Sequence, residues 1–290
     1  MKCRLPTSWI TRKSLLYLLL PTTTFCRQKY LTLADVWSQP YGLIVLVSAW
    51  DALLKKYVNT DYASNSIGDV TGIALVDYDG LGSDEKFKSY LDTLAATDVA
   101  KLPQPEQLAF WMNAYNALCI SLLVNAMKQR KEAGEPPLQS INDLSQPNAP
   151  VWDMPAGMVA GQRVSLNHIE HEQLRKVWDE PAVHGCIVCA SASCPNLRPE
   201  AFVGTMLREQ MIDQMRLWMK NDSKGLKLDG NRLILSRIFL WFGDDFGGWD
   251  GLRTTWLPQY LQDEELKAKL AKNKLKVRFF EYSWKMNRQS

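Results

Sequence analysis

The sequence predicts a single α+β domain in which a mostly antiparallel sheet packs with several helices, one of them long and buried. Three observations predict it. Amphipathic helical segments and short extended ones follow each other in an order that suits one α+β domain. Residues 226–235 alternate around Asp229-Gly230-Asn231, a hairpin signal. Residues 105–131 are apolar on nearly every side, as in a helix without a wet face. Hydrophobic residues make up 46% and charged residues 22%, with 11 Trp and 10 Tyr, so a real core is expected and a disordered chain is excluded.

Residues 1–45 stand apart from the body at 46–290. Lys2, Arg4, Arg12, Lys13, Arg27 and Lys29 precede the first acid, Asp35, among many Ser and Thr residues. That is the composition of an organellar transit peptide. A secretory signal is the rival reading, with Arg12-Lys13 ahead of the short apolar run 15–20, although no small-x-small cleavage pattern follows. A plain N-terminal tail is the third. The net charge of +3 comes from this segment: without those six residues the rest carries 28 bases against 31 acids. No polyanion-binding surface and no nucleic-acid partner is therefore expected. No run approaches the 18 or so apolar residues of a membrane span, and six cysteines do not make a disulfide scaffold.

The elements follow in order. Residues 49–58 (AWDALLKKYV) have the spacing of a short amphipathic helix. Val76-Asp77-Tyr78 reads as extended. Residues 83–96 form a helix capped by Ser83, with Lys86 and Lys88 on the wet side. Pro103 and Pro105 introduce the long helix, since proline is tolerated in a first turn. Residues 132–163, rich in Pro, Gly, Asn and Ser, read as one long loop. Asn167 opens a helix to about Trp178. The apolar run 183–190, bounded by Pro181 and the small residues 191–193, suits a buried strand. A helix over 199–221, the hairpin, short helical pieces at 238–242 and 252–260, a helix at 263–272 and a strand at 275–284 complete the chain.

Three segments carry candidate chemistry. In the long helix, Leu108, Met112, Tyr115, Cys119 and Leu122 form one apolar stripe, while Asn113 and Asn116 share another face. A buried amide without partners costs about 1–3 kcal/mol. The pair therefore either ties down neighbouring loops or lines a pocket and donates to a substrate oxygen. The second segment is Asn167-His168-Ile169-Glu170-His171. Asn followed three residues later by Glu has the spacing of a capping box, which gives Glu170 a structural reading. Two of the chain's three histidines nevertheless stand here, and His171 and Arg175 lie one turn apart.

The third segment, His184-Gly185-Cys186-Ile187-Val188-Cys189-Ala190-Ser191-Ala192-Ser193-Cys194-Pro195, is the richest. Three readings stand open. One is a thiol nucleophile with a histidine base, which needs a cation or free amides nearby to raise the thiolate fraction. Another is a zinc site from His184, Cys189 and Cys194, with or without His171, although the spacing is not that of a standard finger. The last is structural: buried thiols, or a Cys189–Cys194 disulfide. Asp245-Phe246-Gly247 lacks the other kinase motifs, and a turn explains Asp244 and Asp245 better than a cation does. No phosphate loop or dinucleotide fingerprint occurs, so no cofactor is expected.

Together AFWMNAYNAL (109–118), VSLNHIEHEQLR (164–175), PAVHGCIVCASASCPNLRPEAF (181–202), SRIFLWFGDDFGG (236–248) and YSW (282–284) resemble the domain-of-unknown-function 547 family. The family pattern favours Trp-x-Asn-x-Tyr-Asn, matched by Trp111, Asn113, Tyr115 and Asn116. It favours Ile-Glu-His, matched by Ile169, Glu170 and His171, and Val-His followed by Cys and Ser-Cys-Pro, matched by His184, Cys189, Ser193, Cys194 and Pro195. Cys186 falls where the pattern is looser. The resemblance raises the weight of a site built from these residues and supplies no activity. Some relatives carry a coiled coil or a glutaredoxin domain, neither of which is evident here.

The leading expectation is a cysteine-dependent hydrolase or acyltransferase acting on an amide or thioester of a small molecule or peptide. Cys194 is the expected nucleophile, with His184 or His171 as base and Glu170 orienting it. Asn113, Tyr115, Asn116, Ser193 and Cys189 are the expected substrate-binding residues, without a metal. The alternative is a non-catalytic protein- or ligand-binding module with structural cysteines or zinc.

Overall fold

The computed structural model describes residues 41–289, with side chains from Val47 onward. The proposed targeting segment lies outside the described residues except for its last five positions. Helix α1 (Tyr41–Tyr57) begins earlier than its periodicity suggests. Its Trp50, Leu53, Leu54 and Tyr57 recur at helical spacing and are buried. Two short antiparallel pairs follow: β1 (Val58–Asn59) with β4 (Leu75–Val76), and between them β2 (Ser66–Ile67) with β3 (Val70–Thr71).

Helices α2 (Tyr78–Ser83) and α3 (Glu85–Ala96) come next. The cap of α3 is Asp84 rather than Ser83: its backbone is extended and its carboxylate accepts the Lys86 amide at 3.0 Å. A carboxylate at this position also complements the helix dipole. Phe87, Tyr90 and Leu94 form the buried stripe of α3, and Tyr90 stacks on Trp50 with ring centroids 5.0 Å apart.

Helix α4 (Gln104–Glu132) is the long helix, buried without interruption from Leu108 to Ser121. It is long and apolar enough to cross a bilayer by length and composition, yet 83% of its apolar window is buried inside the protein. That places it as the core helix around which the domain is arranged.

The expected long loop at 132–163 contains structure. A capped turn spans Ile141–Leu144, and an antiparallel hairpin joins β5 (Pro155–Val159) to β6 (Gln162–Ser165). Ala160 and Gly161 make its turn with φ of 51° and 74°. Such mirror-image turns suit hairpin twist, but alanine is not a residue that announces one. Strand β5 lies directly on α4, where a Cβ on Gly157 would meet Leu118 Cδ2 at 2.6 Å.

A π-helical segment, α5 (His168–Arg175), leads to a single 3₁₀ stretch at Pro181–Gly185, and no strand forms over 183–190. Helix α6 (Leu207–Lys220) starts later than predicted. Ahead of it, Asn113 pairs with the Phe202 peptide and Gln210 with Ala201 and Val203, so this backbone has partners without being helical. The hairpin of β7 (Leu226–Asp229) and β8 (Arg232–Leu235) forms as predicted. After α7 (Ile238–Trp241) and α8 (Glu264–Ala271), strand β9 (Lys276–Phe279) joins β8 in parallel, Val277 opposite Leu233. The α+β domain and the buried helix are as predicted; the sheets are small, and this pairing departs from the antiparallel pattern.

Gly225 links α6 to the hairpin, and a Cβ there would sit 1.8 Å from the Trp218 carbonyl oxygen. Gly225→Ala is expected to lower stability by about 1–3 kcal/mol through overpacking. A lower urea midpoint at unchanged slope is the readout.

Candidate functional site

The segment from Pro181 to Leu197 is buried throughout except for Cys189, which is partly exposed. Its peptide groups need partners, and once the Cys186 and Ile187 amides have closed onto Val183 O, regular structure supplies only an isolated bridge at Ser191. Side chains and a distant segment do. Asn116 donates to the Cys186 carbonyl at 3.0 Å and accepts the Val188 amide at 2.9 Å, taking the place of a neighbouring strand. The C-terminal segment does the rest. Ala192 N–H donates to Lys285 O at 2.8 Å, Asn287 N–H to Ala190 O at 3.1 Å, and Ser283 N–H to Ser193 Oγ at 2.8 Å. Ala190 is held at φ 59°, a left-handed conformation that turns the chain between Cys189 and Ser191. For an alanine this costs about 1–2 kcal/mol.

A pocket of about 270 Å³ opens beside this bend, lined by Cys189, Cys194, His171, His184, Glu170 and Tyr115. Trp152, Trp241, Phe242 and Trp284 form its aromatic sides. Trp241 and Trp284 stack with centroids 5.9 Å apart, and Trp284 meets Trp152 at 6.0 Å.

The two thiols differ sharply. The Cys189 sulfur lies 3.1 Å from the Tyr282 hydroxyl and 3.2 Å from the Ser191 hydroxyl. Burial opposes its ionisation, but hydrogen bonds from Cys194, the Ser191 and Tyr282 hydroxyls and the Ser191 amide bring its pKa down to about 7. Cys194 is pushed well up by burial, by its hydrogen bond to Cys189 and by the charge forming there. Its sulfur accepts the Cys189 amide at 3.1 Å. Burial also pushes Cys186 and Cys119 up. All four are free thiols.

His184 Nε2 donates to Asp245 Oδ2 at 2.7 Å, and its Nδ1 faces Glu170 Oε1 at 4.0 Å. The ring stacks on Phe242 at 4.2 Å. Asp245 also takes a two-pronged contact from Arg175, at 2.6 and 2.8 Å. These hydrogen bonds from His184 and Arg175 hold its carboxyl well below the usual range. Arg175 donates to His171 Nδ1 as well, which places the His171 ring proton on Nε2. Among the described residues neither sulfur is hydrogen-bonded to an imidazole.

The expected capping box does not form. Asn167 is itself helical and donates to Asp153 at 2.6 Å, while Ser165 Oγ takes the His168 amide at 3.0 Å. Glu170 is thereby free to face the pocket, where the Tyr115 hydroxyl donates to it at 3.3 Å. The wide turns of a π-helix recur at functional sites.

The structure brings Cys189, Cys194, His171, His184, Glu170 and Tyr115 to one pocket and leaves Asn113, Asn116 and Ser193 out of its lining. Both amide groups are occupied by backbone, Asn113 by the Phe202 carbonyl at 2.8 Å and amide at 3.0 Å. Both amides tie loops, and Asn113 is directed at the Phe202 peptide and not at the pocket. Asp245 and Tyr282 are functional candidates that residue-level reading missed. Asp245 reads as part of a turn; Tyr282 stands in an alternating strand pattern. Only their places in the SRIFLWFGDDFGG and YSW stretches set them apart. Among the described residues no group of three or more His, Cys, Asp or Glu side chains is disposed to hold a metal, so the zinc reading finds no ligand set there.

The fold is that of an α+β domain, and its pocket lining brings thiol, imidazole and carboxylate side chains together. Residues 99–219 match the model of the family described as "Protein of unknown function, DUF547". No curated protein and no solved structure matches the chain.

Asn116→Ala would leave the Cys186 carbonyl and the Val188 amide buried without partners. The expected loss is about 2–4 kcal/mol of stability. Denaturant unfolding measures it, and a loss under about 0.5 kcal/mol, the range of an ordinary surface change, would contradict the clamp.

Proposed function

We propose that this pocket is a cysteine-dependent acyl-transfer site, a hydrolase or acyltransferase acting on an amide or thioester, with Cys189 rather than Cys194 as nucleophile. The observation that carries the reading is the surround of the Cys189 sulfur. It is the one partly exposed position in a buried segment, and hydroxyl, amide and thiol donors converge on it. A thiolate is the reactive form, and a pKa near the working pH combines a useful thiolate fraction with retained nucleophilicity.

The other groups take roles around it. Asp245 holds the His184 Nε2–H, which leaves Nδ1 on the pocket side to carry a proton. The thiolate attacks the acyl carbon, and His184 delivers a proton to the departing nitrogen or sulfur. The same nitrogen then takes a proton from the water or second nucleophile that releases the acyl group from Cys189. A general base of this kind contributes about 10²–10⁴-fold. Glu170 faces the imidazole and is anchored by Tyr115. Cys194 serves as a hydrogen-bond donor to the thiolate. The lining contains no Lys or Arg, and its aromatic sides suit an uncharged, apolar acyl group.

Iodoacetamide labelling across pH 5–9, read by peptide mass, tests this. Cys189 is expected to react first, its rate rising about tenfold per pH unit at low pH and levelling above about pH 7. Cys189→Ala is expected to abolish turnover of a thioester and amide panel, and His184→Ala to lower it by about 10²-fold or more. Reaction at Cys194 in place of Cys189 below pH 8 would overturn the assignment. Uniform inertness would favour a binding module with structural cysteines.

A further inference from the structure

Lys224 is the most deeply buried cation among the described residues, at 2% exposure, and the acyl-transfer reading makes no use of it. It stands between α6 and β7. Its Nζ donates to Ala192 O at 3.1 Å, Cys194 O at 2.6 Å and Asn196 Oδ1 at 2.7 Å. The amide of Asn196 is fixed in this orientation, because Oδ1 also accepts the Ala74 amide at 2.9 Å and Nδ2 donates to Gly72 O at 3.0 Å. Three acceptors around one nitrogen call for three N–H bonds, so the geometry is that of an ammonium and not of a neutral amine. All three acceptors are uncharged, and among the described residues no carboxylate is paired with the nitrogen.

A buried charge without a counter-charge is costly. The acceptors belong to the loop that carries the two thiols, and the charges that act on Lys224 are those of Cys194 and, after it, Cys189. We propose that Lys224 is a positioning residue for Cys189: a buried ammonium that fixes the 192–196 turn through three hydrogen bonds and supplies the positive charge against which the Cys189 thiolate forms. The inference rests on the reading of Cys189 as nucleophile and adds the source of its charge balance.

The surrounding groups support this division of labour. Besides Lys224, the titratable groups in electrostatic contact with Cys189 are Cys194, Tyr282, Tyr115, Tyr78 and Cys119, and each is neutral or negative. Glu170, His171 and His184 share its pocket. Burial brings Lys224 down to about 7 against the opposing pull of the Cys194 and Cys189 charges. Cation and thiolate therefore favour one another.

The test is the pH profile of iodoacetamide labelling in the full chain. In Lys224→Met, Cys189 alkylation at pH 7 is expected to slow about tenfold or more, the effect of losing a nearby opposite charge. The plateau rate at high pH is expected to stay unchanged. Asn196→Asp keeps the lysine and sets a carboxylate against it, so it is expected to shift the profile in the same direction. Labelling of Cys186 and Cys119 reports unfolding; if Lys224→Met shows it, Asn196→Asp decides. An unshifted profile in a folded variant overturns the role of Lys224 and leaves the nucleophile standing. Inertness of Cys189 in the unmutated protein overturns both.

Discussion

Buried peptide groups outside any helix or sheet are the constraint on which this structure depends. From Cys186 to Asn196 the chain crosses the interior without a ladder, and each N–H and C=O there must be paired by something else. Apart from a few local turn bonds, the partners come from three distant parts of the sequence. Asn116 reaches in from the core helix, Lys224 from the start of the hairpin, and residues 283–287 from the C-terminal end. Satisfying this one segment draws in these parts of the domain.

The same arrangement sets the chemistry. A loop pinned from several sides can hold an alanine in a left-handed conformation, and that bend leaves Cys189 as its one partly exposed residue. The donors that accumulate around its sulfur are by-products of the pinning. Ser191 belongs to the loop, and Tyr282 belongs to the segment that anchors it. Across the pocket lining, Asp245 gathers Arg175 and His184 into one network, and Phe242 carries both the imidazole and the guanidinium on its ring. On the proposed acyl-transfer reading, stability and reactivity are served by one set of contacts, so substitutions here couple the two.

Much of the fold was legible in residue order. The 3.6-residue spacing marked α1, α3, α4 and α6, and Asp229-Gly230-Asn231 marked the hairpin. The run 183–190 forms no strand, because a continuous apolar stretch fits any buried conformation and its length alone favours a strand. The turn at Ala160-Gly161 hid for want of a typical turn residue. The capping-box pattern at Asn167 and Glu170 was present, but Asp153 claimed the amide and left the carboxylate for the pocket. Cys189 and Cys194 look alike in sequence; their difference lies in the donors that tertiary contacts bring to one sulfur and not the other.

Local patterning thus determined the α+β class, the buried helix and the short list of polar residues able to carry a site, because periodicity and residue chemistry act over a few positions. The tertiary structure alone decided which of those residues share a pocket. It turned two asparagines into clamps, recruited Asp245 and Tyr282, set Lys224 beneath the thiols and separated one cysteine from the next. These outcomes depend on contacts between residues 28 to 93 positions apart, and no pattern confined to neighbouring residues encodes them.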